Sequence, residues 1–204
     1  DSATITEITV EHVYEEVRNA KTIQTQQGLY NHSFNSWKEL QQILTNQNNS
    51  DSGILYYLGT GETDVITLNS KMEVEEGAWT LIVENATLRI NEDVVYLNNT
   101  YESSVAFIVL NGDIDIGVGA EILNGVYYTD QGFTGDWRSP VTGQLTIYGS
   151  IYGDVSELLT KANYVGSPNL DGGGIVVYYD SRILLNTPPG LAEYVDVNSE
   201  QAVN

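Results

Sequence analysis

The sequence predicts a mainly β chain, wound as a right-handed parallel β-helix (a solenoid) behind a short N-terminal α-helical cap; a β-sandwich is the alternative. Three observations predict it. Short runs rich in β-branched and aromatic residues follow one another from Ile54 to Tyr179, punctuated by Asn and Gly. No helix-length apolar pattern separates them before Val155-Ser156-Glu157-Leu158-Leu159, which excludes alternating β-α units. Several runs also share one form: an apolar strand, Asn or Tyr, a small residue, one polar residue, then alternating apolar positions. Val83-Glu84-Asn85-Ala86-Thr87-Leu88-Arg89-Ile90 and Val109-Leu110-Asn111-Gly112-Asp113-Ile114-Asp115-Ile116 show it most clearly. Ile122-Leu123-Asn124-Gly125-Val126-Tyr127 and Thr146-Ile147-Tyr148-Gly149-Ser150-Ile151-Tyr152-Gly153-Asp154 follow the same plan.

From the N-terminus, Thr4–Val10 reads as strand, and Val10, Val13, Tyr14, Val17 and Ala20 recur at helical spacing. A second helix spans Trp37–Leu44. Asn35 or Ser36 serves as its N-cap, Glu39 lies in its first turns, and Trp37, Leu40, Ile43 and Leu44 form one apolar face. Residues 1–52 therefore form a cap or subunit-contact arm, and residues 53–204 the β-helix with a C-terminal extension. Strands are expected at Ile54–Leu58, Val65–Leu68, Thr80–Glu84, Thr87–Ile90, Ala106–Leu110, Asp113–Ile116, Glu121–Tyr128, Gln144–Tyr148, Ser150–Tyr152 and Gly174–Tyr179. The repeat places Asn85, Asn111 and Asn124 at corners, where Asn tolerates left-handed backbone and can bond from coil to coil. The stretch Asp130–Gly143 reads as a projecting loop, and Asp171-Gly172-Gly173-Gly174 as a tight turn.

Charge narrows the function classes. The 204 residues carry 28 acidic and 8 basic side chains, a formal charge of −20, and no Cys. Without clustered cations the chain is no nucleic-acid binder. Without Cys it holds neither disulfides nor thiolate metal sites. No apolar run is long enough to insert in a membrane. The acidity has no focus and reads as a solubility coat. Of four sequons, at Asn31, Asn48, Asn85 and Asn98, the one at Asn85 coincides with the repeat and is read as a corner.

The run Gly174-Ile175-Val176-Val177-Tyr178-Tyr179-Asp180-Ser181-Arg182-Ile183-Leu184-Leu185-Asn186-Thr187-Pro188-Pro189-Gly190-Leu191 is the most distinctive stretch. With Ser104–Ile114 and Leu145–Asp154, it resembles uncharacterised exported β-helical surface or pilus-associated proteins of uncultured bacteria. The resemblance spans roughly Trp79 to Leu191. It implies the β-helix fold and a place at the cell surface or outside the cell, and it carries no known active site.

Asp113, Asp115 and Asp154 are the metal candidates. Asp113 and Asp115 alternate along a strand, so both face one side, and with Asp154 or Asp136 they suit calcium. The alternation is equally that of two solvated carboxylates flanking inward Ile114 and Ile116. A polysaccharide lyase or hydrolase would draw on Asp113, Asp115, Asp136, Arg138 and Asp154, with Trp137, Tyr127, Tyr128, Tyr148 and Tyr152 stacking on sugars. Those aromatics equally suit packing and tyrosine ladders. His12 and His32 have no nucleophile at useful spacing, and no nucleophile elbow, phosphate loop or zinc motif occurs. No cofactor other than calcium is expected. The reading is a non-catalytic exported structural protein that forms homo-oligomers or homopolymers through its N-terminal strand and solenoid ends. A carbohydrate-binding or polysaccharide-cleaving β-helix is the alternative.

Overall fold

A computed structural model describes residues 33–44, 53–61, 63–97, 102–138, 143–162 and 174–191. Thr4–Val10, the helix pattern of residues 10–20, His12, His32, Asn31, Asn48, Asn98 and residues 171–173 lie outside them. Among the described residues there are thirteen strands and three helices. In chain order they are β1 (Ser33–Phe34), α1 (Trp37–Leu44), β2 (Ile54–Leu58), β3 (Val65–Leu68), β4 (Met72–Val74), β5 (Gly77–Glu84), β6 (Thr87–Ile90) and β7 (Val94–Tyr96). Then come β8 (Ser103–Leu110), β9 (Ile114–Ile116), β10 (Ile122–Thr129), β11 (Phe133–Gly135), β12 (Leu145–Tyr152), α2 (Ser156–Ala162), β13 (Ile175–Tyr178) and α3 (Arg182–Leu185).

Every strand pair is parallel. One sheet runs β1-β3-β6-β9-β11 and the other β13-β12-β10-β8-β5-β2, with β4 and β7 on a third face. This is a β-solenoid of about 4 turns, and the parallel pairing rules out the sandwich. Each coil crosses the faces in turn: β2-β3-β4, then β5-β6-β7, then β8-β9, then β10-β11. Ile54 aligns with Thr80, and Thr80 with Ala106, a step of 26 residues. The next step is shorter, because the third coil has no strand of its own on the third face. There β10 begins instead, with Leu123 beside Val94, and then bends onto β8.

The bends explain the punctuation. Asn85 and Asn111 hold φ of 56° and 53°, and Asn111 Nδ2 donates to Asn85 Oδ1 at 2.6 Å. The corner reading of Asn85 is thus met, with the ladder between coils. Asn124 departs from it: it lies inside β10, opposite Tyr148 of β12. The bend belongs to its neighbour Gly125, at φ 127°, and to Gly149 beside it, at φ 148°. A Cβ on Gly149 would sit 1.8 Å from the Gly125 carbonyl oxygen. Asn-Gly in β10 thus matched the repeat by composition, one corner out of phase. The predicted loop Asp130–Gly143 is also corrected. Phe133 is buried in the core, and β11 continues the sheet beside β9. Strands as short as β4, β7 and β11, at three residues each, offer too few alternations to be seen in sequence.

Inward side chains fill the coil: Leu55 and Tyr57, Leu81 and Val83, Val105, Phe107 and Val109. Tyr127 stacks on Phe107 at 5.0 Å between centroids, which makes it a core residue and removes it from any sugar platform. The cap expectation for Trp37–Leu44 is met as well. Trp37 and Leu40 are buried in the same cluster, with the Trp37 ring edge-on to Trp79 at 6.2 Å and to Phe107 at 6.3 Å. Ser36 Oγ accepts from Glu39 N–H, and Glu39 Oε2 reaches back to accept from Asn35 N–H, so the start of α1 is capped by side chains from both sides.

The outward side of the second sheet is apolar too. Ile82, Ala106, Ile108, Leu110 and Val126 form a second cluster with Ile183 and Leu191. The C-terminal motif is the cover: it leaves β13, forms α3 against β8 and crosses the outside of the sheet. Thr80 Oγ1 donates to Pro189 O at 2.6 Å, Asn186 Nδ2 to Glu102 O at 2.7 Å, and the Arg182 guanidinium lies 4.9 Å above the Tyr96 ring. This is why residues 105–110 of β8 read as an unbroken apolar run: both faces of the strand are buried.

Gly149→Ala tests the bend. A methyl cannot fit against the Gly125 carbonyl, so the variant should lose about 3 kcal/mol, read by thermal or urea unfolding. A loss under about 0.5 kcal/mol would show that the coils do not approach so closely.

Candidate functional site

The outward face of the first sheet carries the charged side chains that the sequence singled out. Alternation along β6 and β9 turns Leu88, Ile90, Ile114 and Ile116 inward, and so turns Arg89 and Asp115 outward in one register column. Arg89 Nη1 pairs with Asp115 Oδ2, and Nη2 donates to Asp136 Oδ2 at 2.9 Å. Its Nε donates to Asn91 Oδ1 at 2.8 Å, and Asn91 Nδ2 to Asn69 Oδ1 at 3.2 Å. Partial burial works against the charged guanidinium, but the charges and hydrogen bonds of Asp115 and Asp136 outweigh it and hold its pKa above the ordinary value. Further along, Thr134 Oγ1 donates to Glu157 Oε1 at 2.8 Å, and Lys161 Nζ reaches both Thr134 Oγ1 and Glu157. The result is a polar ladder from coil to coil, from Asn69 to Lys161.

The three calcium candidates are not brought together. Asp115 is held by Arg89. Asp113 and Asp154 flank Gly132, whose Cβ position lies 3.7 Å from Asp113 Oδ1 and 4.0 Å from Asp154 Cβ. Asp154 Oδ1 accepts from Ser156 N–H at 2.9 Å at the start of α2. Hydrogen bonds from the Ser156 backbone, then from its hydroxyl, lower the Asp154 carboxyl below the usual range. Among the described residues, no three His, Asp or Glu side chains form a group able to hold a metal ion.

The remaining candidates are dispersed. Arg138 is buried, and its Nη2 donates to Gly117 O and Ala120 O at 2.8 and 2.5 Å, which fastens the tight turn of the third coil. Asp136 Oδ2 also accepts from Val118 N–H at 3.2 Å. Trp137 is 70% exposed. Tyr148 projects from β12 and stacks on Tyr178 of β13 at 5.5 Å, with both rings open to solvent. Tyr128 and Tyr152 pack against the apolar cluster beneath the C-terminal cover.

Sequence reasoning missed two contributors. Asp93 Oδ1 accepts from the N–H groups of both Glu121 and Ile122 at 2.8 Å, so one carboxylate takes up backbone donors where the third face lacks a strand. Only the fold brings them together. The Glu157–Lys161 pair was visible as an i, i+4 spacing once a helix was allowed there. Compared with known proteins, the chain matches no family model, no curated protein and no solved structure.

The lowered carboxyls fix a pH dependence. Asp154 is lowered by Ser156, and Glu157 by hydrogen bonds from Lys161 and then Thr134. A lowered folded-state pKa stabilises the fold above the ordinary carboxylate value, and the gain is lost as pH falls through the folded value. Asp154→Asn keeps an N-cap acceptor. It should match the parent near neutral pH and lose less stability on acidification, read by melting from pH 7 to 3. An equal loss in both proteins would contradict the assignment.

Proposed function

We propose that the protein is a non-catalytic, self-assembling structural subunit of the cell surface or of an extracellular filament. The observation that carries this reading is the use made of its polar side chains. Arg89, Asp93, Asp115, Asp136 and Arg138 each bond to a neighbouring segment of the solenoid. Groups tied to one another in this way stiffen the wall, whereas a catalytic acid or base must be aimed at a substrate. The resemblance of residues 79–191 to exported β-helical surface proteins supports the location. The net charge of −20 makes assembly between copies dependent on salt or divalent ions such as calcium. The expected contact through Thr4–Val10 lies outside the described residues.

Sedimentation velocity over a wide concentration range tests this, with added salt, calcium or chelator. The sedimentation coefficient should rise with concentration, and more steeply as salt or calcium screens the charge. A single monomeric boundary throughout would overturn the reading.

Carbohydrate binding is the second reading, favoured by the exposed Tyr148–Tyr178 stack and by Trp137. Trp37 is buried and Trp79 packs against the core, so oligosaccharide titration should perturb chiefly the fluorescence of Trp137. A saturable change that disappears in Trp137→Ala would favour this reading over the first.

A further inference from the structure

We propose that the free edge of β13 is a self-docking surface, on which two copies of this chain pair tail to tail, antiparallel, across a two-fold axis. The proposal rests on the self-assembly reading and names its contact. Among the described residues β13 pairs with β12 alone and ends the larger sheet. Its outer edge therefore presents backbone donors and acceptors to whatever can extend the sheet. The devices that usually blunt such an edge are missing: Gly174-Ile175-Val176-Val177-Tyr178-Tyr179 holds no charge and no Pro. Val177, Tyr178 and Tyr179 are 46%, 53% and 65% exposed, and Leu159 of α2 is 51% exposed near the same end.

Charge selects the occupant. A cationic partner would be drawn to the carboxylates spread over the rest of the surface. A second copy carries the same −20 and can approach only where charge is absent. The uncharged edge of β13 is such a place. The opposite end of the solenoid selects the symmetry. There α1 covers the first coil with Trp37 and Leu40. A head-to-tail contact would have to displace these. A two-fold contact needs only β13 and its own image, and it closes on itself. The Tyr148–Tyr178 stack then continues at the junction with the aromatic rows of the second copy alongside. Four paired residues bury far less than the roughly 1,200 Å² of a stable interface. The dimer is therefore weak, and it tightens as salt shortens the range of repulsion from about 10 Å near 0.1 M to about 3 Å near 1 M.

The absence of Cys makes the test clean. Residues 175–178 are replaced singly by Cys (Ile175→Cys, Val176→Cys, Val177→Cys, Tyr178→Cys), with Lys71→Cys on the first coil as control. Mild oxidation should trap a covalent dimer at one or two adjacent β13 positions and not at the control, because residues facing each other near a two-fold bring their Cα atoms within disulfide reach. Tyr178→Glu, at an exposed ring in the outward column of Tyr148, puts like charges on the edges of both copies and should weaken dimerisation at least about tenfold, while thermal melting shows that the monomer still folds. Cross-linking absent at all four positions, with association unaffected by Tyr178→Glu, overturns the β13 contact and leaves assembly by another surface standing. A parent protein that stays monomeric at high salt and high concentration overturns the contact and the assembly reading together.

Discussion

The structure depends on one constraint: successive coils must stack in parallel register, so that each backbone pairs with the coil before and the coil after. Register decides everything that follows. It stacks Leu55 beneath Leu81 and Phe107, and so makes the core. It sets Arg89 beside Asp115, and so makes the polar wall. The corners pay for it in backbone conformation, since the chain must turn in the same place on every coil. Asn85 and Asn111 take up positive φ and bond to each other, which offsets part of the strain with a hydrogen bond between coils. Gly125 and Gly149 solve the second bend by having no side chain at all.

A solenoid with a dry inside needs only one apolar face per strand. Here β5, β8 and β10 have two, and the C-terminal segment is the consequence. Ile183 and Leu191 cover Ile82, Ala106, Ile108 and Val126, and the cover is fixed by hydrogen bonds to Thr80 and Glu102. Burial keeps two phenols neutral, Tyr96 below Arg182 of the cover and Tyr127 inside the solenoid core. Tyr96 is raised first by desolvation and then by the charge of Asp180, and Tyr127 mainly by desolvation.

Much of this was legible in the sequence. Strands such as Ile54–Leu58, Val65–Leu68 and Thr87–Ile90 have the predicted bounds, because alternation over four or five residues between turn formers is a strong local signal. The corner role of Asn85 and Asn111 was legible because their surroundings repeat. Asn124 misled because Asn-Gly has the composition of a corner, while its place is set by how far the preceding coil was shortened, which is a long-range matter. Phe133–Gly135 was hidden for a related reason: three residues become a strand only because β9 lies beside them. The role of Arg182–Leu191 as a cover was not legible, since nothing local says which surface a segment crosses. The candidate carboxylates were found as residues but not as partners. Asp115 and Asp154 are both committed to groups brought up by the fold, Arg89 and the start of α2.

Register is also the claim most open to direct measurement. Ser33, Thr67, Arg89, Asp115 and Thr134 follow one another along one column of the first sheet. Spin labels at Ser33→Cys and Thr134→Cys would be the only thiol-linked groups in the chain. At about 4.8 Å per strand the four intervals place their backbones roughly 19 Å apart. Dipolar spectroscopy should give one narrow distribution in the range of about 20–30 Å once the label arms are included. A broad distribution, or a maximum well beyond that range, would contradict the stacked coils.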